Sequence, residues 1–145
     1  MKSLILPVFF LIAVSGSSVL EPYLHSFNKQ VGENCDESLT DLEVQSFDVT
    51  PWPPKRNTEL KMNMKGVVHR DVAVKSIEVE VLYNGYDFYH ESFPDPHSYK
   101  DGETAELSLE VFLPVIAPPG RYEVQVRISD DNAQALNCWQ IKFSL

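Results

Sequence analysis

Apolar residues recur at every second position over most of the chain from Leu42 onward. This is the spacing of strands with one face buried and the other wet. Leu60, Met62 and Met64 alternate with Lys61, Asn63 and Lys65, and Ile77, Val79, Val81 and Tyr83 alternate without a fault. So do Ala105, Leu107, Leu109, Val111 and Leu113, then Tyr122, Val124, Val126 and Ile128, and finally Trp139, Ile141, Phe143 and Leu145. Phe47 and Val49 are one position out of phase with Leu42 and Val44, which predicts a bulge between them. No segment carries a sustained helical period.

Turn chemistry separates these runs. Asn84-Gly85 lies between two of them, the strongest short hairpin signal. A two-residue turn there sets Tyr83 opposite Tyr86, Val81 opposite Phe88 and Val79 opposite His90, which would turn His90 inward. Asp101-Gly102, Pro118-Pro119-Gly120 and Asp130-Asp131-Asn132 mark three more reversals. About seven short strands joined by turns predict an all-β chain folded as a sandwich of two antiparallel sheets.

The start of the chain reads differently. Met1-Lys2-Ser3, an apolar run from Leu4 to Val14 and then Ser15-Gly16-Ser17-Ser18 have the layout of a secretory signal peptide. The expected division is residues 1–18 as a cleaved signal, ending at Gly16 or Ser18, and residues 19–145 as one domain. Residues 19–34 show no clear period and lead into it. A formal charge of −9 excludes the electrostatic footprint of a nucleic-acid binder or a polybasic membrane face. The acidic residues mostly alternate with apolar ones, as in Glu78-Val79-Glu80-Val81, and read as a solvated outer face.

Secretion into an oxidising compartment favours an internal Cys35–Cys138 bridge, with an intermolecular bridge or two free thiols as alternatives. Cys138 shares parity with Gln140 and Lys142, opposite to Trp139 and Ile141. A bridge there would lie outside the sandwich, unlike the core bridge of an ordinary immunoglobulin domain.

Catalytic signatures are missing from the sequence. His25, His69, His90 and His97 form no metal-binding spacing, and there is no nucleophile elbow, phosphate loop or dinucleotide fingerprint. No enzyme activity, metal or cofactor is expected. The inward positions are almost wholly apolar, which suits either a close-packed core or a cavity for an apolar ligand. Met62 and Met64 could repack around variable shapes. Trp52, in Thr50-Pro51-Trp52-Pro53-Pro54-Lys55-Arg56, sits in a stiff connector that could present an aromatic tip to a membrane or partner.

Two stretches carry a resemblance. Asp48 to Arg56 resembles the first-strand exit of phosphatidylglycerol/phosphatidylinositol transfer proteins. Leu113-Pro114-Val115, Pro118-Pro119-Gly120-Arg121-Tyr122, Asp130-Asp131 and Cys138-Trp139-Gln140-Ile141 resemble the C-terminal half of the ML family of secreted lipid-recognition domains. That family includes the soluble sterol carrier of the Niemann-Pick type C pathway. The resemblance implies an immunoglobulin-like sandwich with a hydrophobic cavity between its sheets, and a bridge from Cys35 to Cys138. It also places Val115 and Pro118 at the cavity mouth, and puts the smaller Val126 where the sterol carrier has an aromatic residue, which would widen the cavity. The family's mid-chain disulfide has no counterpart in Phe93-Pro94-Asp95-Pro96-His97-Ser98-Tyr99, implying a freer mouth loop there.

The expected function is a secreted carrier of a sterol or phospholipid acyl chain, monomeric, in the secretory or endolysosomal lumen or outside the cell. Transient contact with a membrane or membrane protein is expected, and nucleic acid is not. The expected cavity and mouth residues are Met62, Met64, Val79, Val81, Tyr83, Phe88, Leu109, Val111, Val115, Pro118, Tyr122, Val124, Val126, Trp139 and Ile141. The alternative is a protein-interaction or innate-immune recognition module with a solid core.

Overall fold

A computed structural model describes residues 31–145. The expected signal segment, residues 1–18, and the lead-in to residue 30 lie outside the described residues. The alternating runs form strands, eight among the described residues: β1 (Glu33–Asn34), β2 (Leu42–Thr50), β3 (Thr58–Val68), β4 (Val72–Tyr83), β5 (Tyr86–Tyr99), β6 (Thr104–Leu113), β7 (Arg121–Asp130) and β8 (Ala135–Ser144). They make two antiparallel sheets, one of order β1-β8-β7-β4-β5 and one of order β2-β3-β6. The all-β sandwich expected from the pattern is the observed architecture.

Alternation places side chains as expected. In β3, Leu60, Met62 and Met64 are buried while Lys61, Asn63 and Lys65 face water. On that outer face Lys61 and Lys65 pair with Glu110 and Glu106 of β6 at 3.1 Å each, contacts that contribute little in water. The register of β2 on β3 slips between Val44 and Ser46, the bulge predicted from the phase shift. Asn84 and Gly85 both adopt positive φ, 49° and 86°, as a tight hairpin turn demands.

Two expectations about β5 are corrected. Tyr83 does face Tyr86, but a second bulge makes Phe88 the extra residue, so Val81 pairs with Tyr89, Val79 with Glu91, and His90 with Glu80. His90 therefore faces solvent, with Nε2 3.4 Å from the Glu78 carboxylate. Residues 93–99 are not a mouth loop; they are the second half of β5, paired with β4 from Ile77↔Phe93 to Val72↔Tyr99. β5 is an edge strand, where Pro94 and Pro96 cost no interior ladder bond, and a register slip opposite Val74 and Ser76 absorbs them.

One end of the sandwich is solid. Phe47, Met62, Met64, Ile77, Leu107, Leu109, Val126 and Ile128 meet around a residual void of only about 10 Å³. Phe47 and Trp139 stack with centroids 5.9 Å apart, joining the two sheets. The Trp139 indole donates to the Val31 carbonyl at 2.9 Å, and the Val31 amide donates to the Phe47 carbonyl at 3.0 Å. Asn137, buried in the same region, accepts from the Ile128 amide through its side-chain oxygen at 3.0 Å, which satisfies it.

Cys35 and Cys138 form an internal bridge between residues 103 apart, which removes the intermolecular and free-thiol alternatives. Cys138 pairs with Arg127 in the ladder and so points outward, as its parity predicts. It is nonetheless buried, because the bridge and the segment around Cys35 lie over it.

Candidate functional site

Among the described residues β5 and β6 end their respective sheets, β5 hydrogen-bonded to β4 and β6 to β3. The turn at Asp101-Gly102 ties these edges together at the solid end. At the other end nothing among the described residues pairs them, and a cavity of about 500 Å³ opens between the sheets. Its walls come from Leu60 of β3, Val81 of β4, Phe88, Tyr89, Glu91 and Phe93 of β5, Glu110 to Leu113 of β6, Tyr122 and Val124 of β7, and Phe143 of β8. Pro114, Ile116, Ala117 and Pro118, in the connection from β6 to β7, close the loop side.

An aromatic cluster shapes the wall on the five-stranded sheet. Tyr83 lies 5.2 Å from Tyr122 and 5.7 Å from Phe88, ring centre to ring centre, and Phe88 meets Tyr122 edge-on at 6.5 Å. The Phe88 bulge is what brings this ring against the other two. Both phenols are anchored away from the cavity: Tyr122 donates to the Pro118 carbonyl at 2.7 Å and Tyr83 to the Pro119 carbonyl at 2.9 Å. Gly120 permits that approach, since a Cβ there would come 2.5 Å from the Tyr83 ring. Burial pushes the Tyr122 hydroxyl above the ordinary phenol range, so it stays protonated at neutral pH.

The two carboxylates on the wall are already engaged. Lys61 hydrogen-bonds Glu110 and holds its carboxyl below the usual range, and Glu91 accepts from the Tyr89 hydroxyl. The rest of the lining is predominantly apolar. Around it Phe88, Phe112, Val115 and Ile116 are exposed, Ile116 at 85%. Trp52, on the proline-rich connector at the same end, meets Phe143 edge-on at 6.5 Å. A surface of this kind can take up apolar ligand by excluding water, with few polar groups to discriminate among ligands.

Of the positions expected to form the cavity and its mouth, Val81, Phe88, Val111, Pro118, Tyr122 and Val124 line this space. Tyr83 stands behind Phe88 and Tyr122, and Val115 is on the mouth loop, facing solvent. Met62, Met64, Val79, Leu109, Val126, Trp139 and Ile141 lie in the packed core, away from the cavity. The smaller side chain at Val126 leaves no widened space, because its neighbours close on it to within about 10 Å³.

Sequence reasoning missed Leu60, Tyr89, Glu91, Phe93, Glu110, Phe112, Leu113, Pro114, Ile116, Ala117 and Phe143 as site residues. The bulge hid Tyr89 and Phe93. Phe112 carried a signal, being an aromatic residue in the outward row of Glu106, Ser108 and Glu110.

Comparison with known proteins agrees with this architecture. Over 93% of its length the chain is 23% identical to a Dictyostelium discoideum protein named as a phosphatidylglycerol/phosphatidylinositol transfer protein, covering 95% of that protein. A phosphatidylglycerol/phosphatidylinositol transfer protein of Emericella nidulans is 28% identical over 76% of this chain and 71% of its own. Both are named for lipid transfer and not for a reaction. The crystal structure of a Niemann-Pick type C2 protein from the Japanese carpenter ant superposes with a TM-score of 0.55 at 15% identity, covering 79% of this chain and 98% of that one, a likeness of fold. The ML-domain family model matches residues 31–145, the whole of the described sandwich. The chain belongs to the ML-domain family.

Proposed function

We propose that this protein binds and carries a single lipid, its acyl portion filling the cavity between the sheets. The observation that carries the reading is the predominantly apolar cavity of about 500 Å³, open between two sheet edges unpaired among the described residues. Its size falls in the range of about 300–1,000 Å³ typical of small-molecule sites. No covalent step is involved. Apolar ligand surface leaves water at about 25 cal/mol per Å² buried, less the cost of immobilising the ligand.

A phospholipid is favoured over a sterol by the names of both relatives. Loading is by transient contact with a membrane, through the exposed Phe88, Phe112, Ile116 and Trp52 around the opening. The N-terminal signal pattern and the disulfide support a secreted or endolysosomal-lumen protein. The alternative of a solid-cored interaction module is disfavoured by the cavity.

Organic extraction of the purified protein followed by lipid mass spectrometry tests the reading. A stoichiometric acyl lipid is expected. Protein that carries no lipid and moves none between vesicles would sink it.

A further inference from the structure

The loop end of the sandwich, beside the cavity, gathers cations that have no carboxylate partner. Among the described residues, Lys61, Lys65, Arg70, Lys100, Arg127 and Lys142 each form an ion pair. Lys55, Arg56, Lys75 and Arg121 form none there. Three of these four stand at one end of a strongly acidic molecule: Lys55 and Arg56 just before β3, and Arg121 at the start of β7.

Arg56 is the best placed. Its Nε donates to the Ala117 carbonyl at 2.7 Å, and Ala117 is part of the cavity wall. Its charge also reaches Tyr122, on the same wall. The Nε bond fixes the plane of the guanidinium, and among the described residues Nη1 and Nη2 have no hydrogen-bond acceptor. That leaves the two-pronged edge of the group free beside an apolar cavity. The carboxylates of the lining, Glu91 and Glu110, are on β5 and β6. An anionic group leaving through the slit between those strands would meet both of them. Leaving by the loop end, it meets Arg56.

We propose that Arg56 reads the phosphate of a phospholipid whose acyl chains occupy the cavity, its two Nη groups taking phosphate oxygens as a fork. The inference rests on the carrier reading and adds the residue that selects the headgroup: Arg56 sets phosphate-bearing lipid above uncharged lipid of the same chain length. Guanidinium suits the task because its planar donors match phosphate oxygens in pairs, which an ammonium cannot do.

Binding of dioctanoyl phosphatidylglycerol and of dioctanoylglycerol, followed by tryptophan fluorescence, tests it. The parent protein should bind both, the phosphorylated lipid more tightly. R56Q should weaken phosphatidylglycerol binding about tenfold and leave dioctanoylglycerol binding unchanged, with R56K recovering part of the loss. Inorganic phosphate in excess should not displace the lipid, since the acyl chains supply most of the affinity. Phosphate competing as well as the lipid would mean a free-anion site and overturn the assignment. So would R56Q binding phosphatidylglycerol like the parent, or losing both lipids equally with an unchanged thermal midpoint, which would make Arg56 a wall-shaping residue only. A parent protein that binds neither lipid defeats the carrier reading itself.

Discussion

Tyr122 and Phe143 face each other across β7 and β8, their rings 5.4 Å apart and within 7° of parallel. The stack forms part of the cavity wall, and the Tyr122 hydroxyl is spent on the Pro118 carbonyl. Tyr122→Phe keeps the stack and leaves that carbonyl without its donor. A stability loss of about 1 kcal/mol is expected from urea unfolding, with lipid content unchanged. Lost lipid at unchanged stability would mean that the tether, and not the stack, governs the site.

Asp130 is buried at the solid end, and its carboxylate accepts from the amides of Gln134 and Asn132 at 2.9 Å each and from Arg70 at 3.3 Å. The Gln134 amide foremost, opposed by burial and helped by Arg70, holds its carboxyl below the ordinary aspartate range. A pKa lowered on folding contributes stability that is present above the unfolded-state value of about 3.9 and fades as pH falls through the folded-state value. Asp130→Asn should therefore cost about 1–2 kcal/mol at neutral pH. The gap between parent and variant should narrow below about pH 4 in a urea series. A gap that persists into acid would show that the loss is steric.

The Cys35–Cys138 bridge fastens the two-residue strand β1 to β8 across 103 positions. β1 has too little ladder to hold itself, and with it goes the segment bearing Val31, which accepts from Trp139. Replacing both cysteines by alanine should cost about 2–5 kcal/mol, read as a lower urea midpoint. Reductant should shift the parent in the same direction and leave the double variant unaffected.

The sandwich was legible because alternation over β3, β4, β6, β7 and β8 has a single structural solution, and Asn84-Gly85 marks its hairpin. The cavity was only half legible. Val81, Val124 and Val126 share parity and chemistry, yet Val81 and Val124 face the open end while Val126 sits in the packed core. Period two tells which face a residue is on. It does not tell how far apart the sheets are at that point along the strand, and that distance depends on where β5 and β6 stop being tied together. The bulge at Phe88 does leave a trace, since the aromatic positions change parity from Phe88 to Tyr89 and Phe93, but the polar Asp87, His90, Glu91 and Ser92 among them leave too few apolar positions to fix the phase.

Val81 and Val124 are ladder partners on β4 and β7, and both face the cavity, so they report directly on its use. Val81→Trp adds volume where about 500 Å³ is open. Stability should change by less than about 1 kcal/mol, while lipid uptake falls about tenfold because the added ring occupies the ligand's place. Val126→Trp meets a space of about 10 Å³ between Phe47, Met62 and Met64, and the same ring has nowhere to go. Overpacking there should cost about 1–3 kcal/mol in urea unfolding. In protein that remains folded, uptake per molecule should match the parent. The paired variants thus separate loss of cavity from loss of fold. Equal uptake by Val81→Trp and the parent would place the lipid somewhere other than between these sheets.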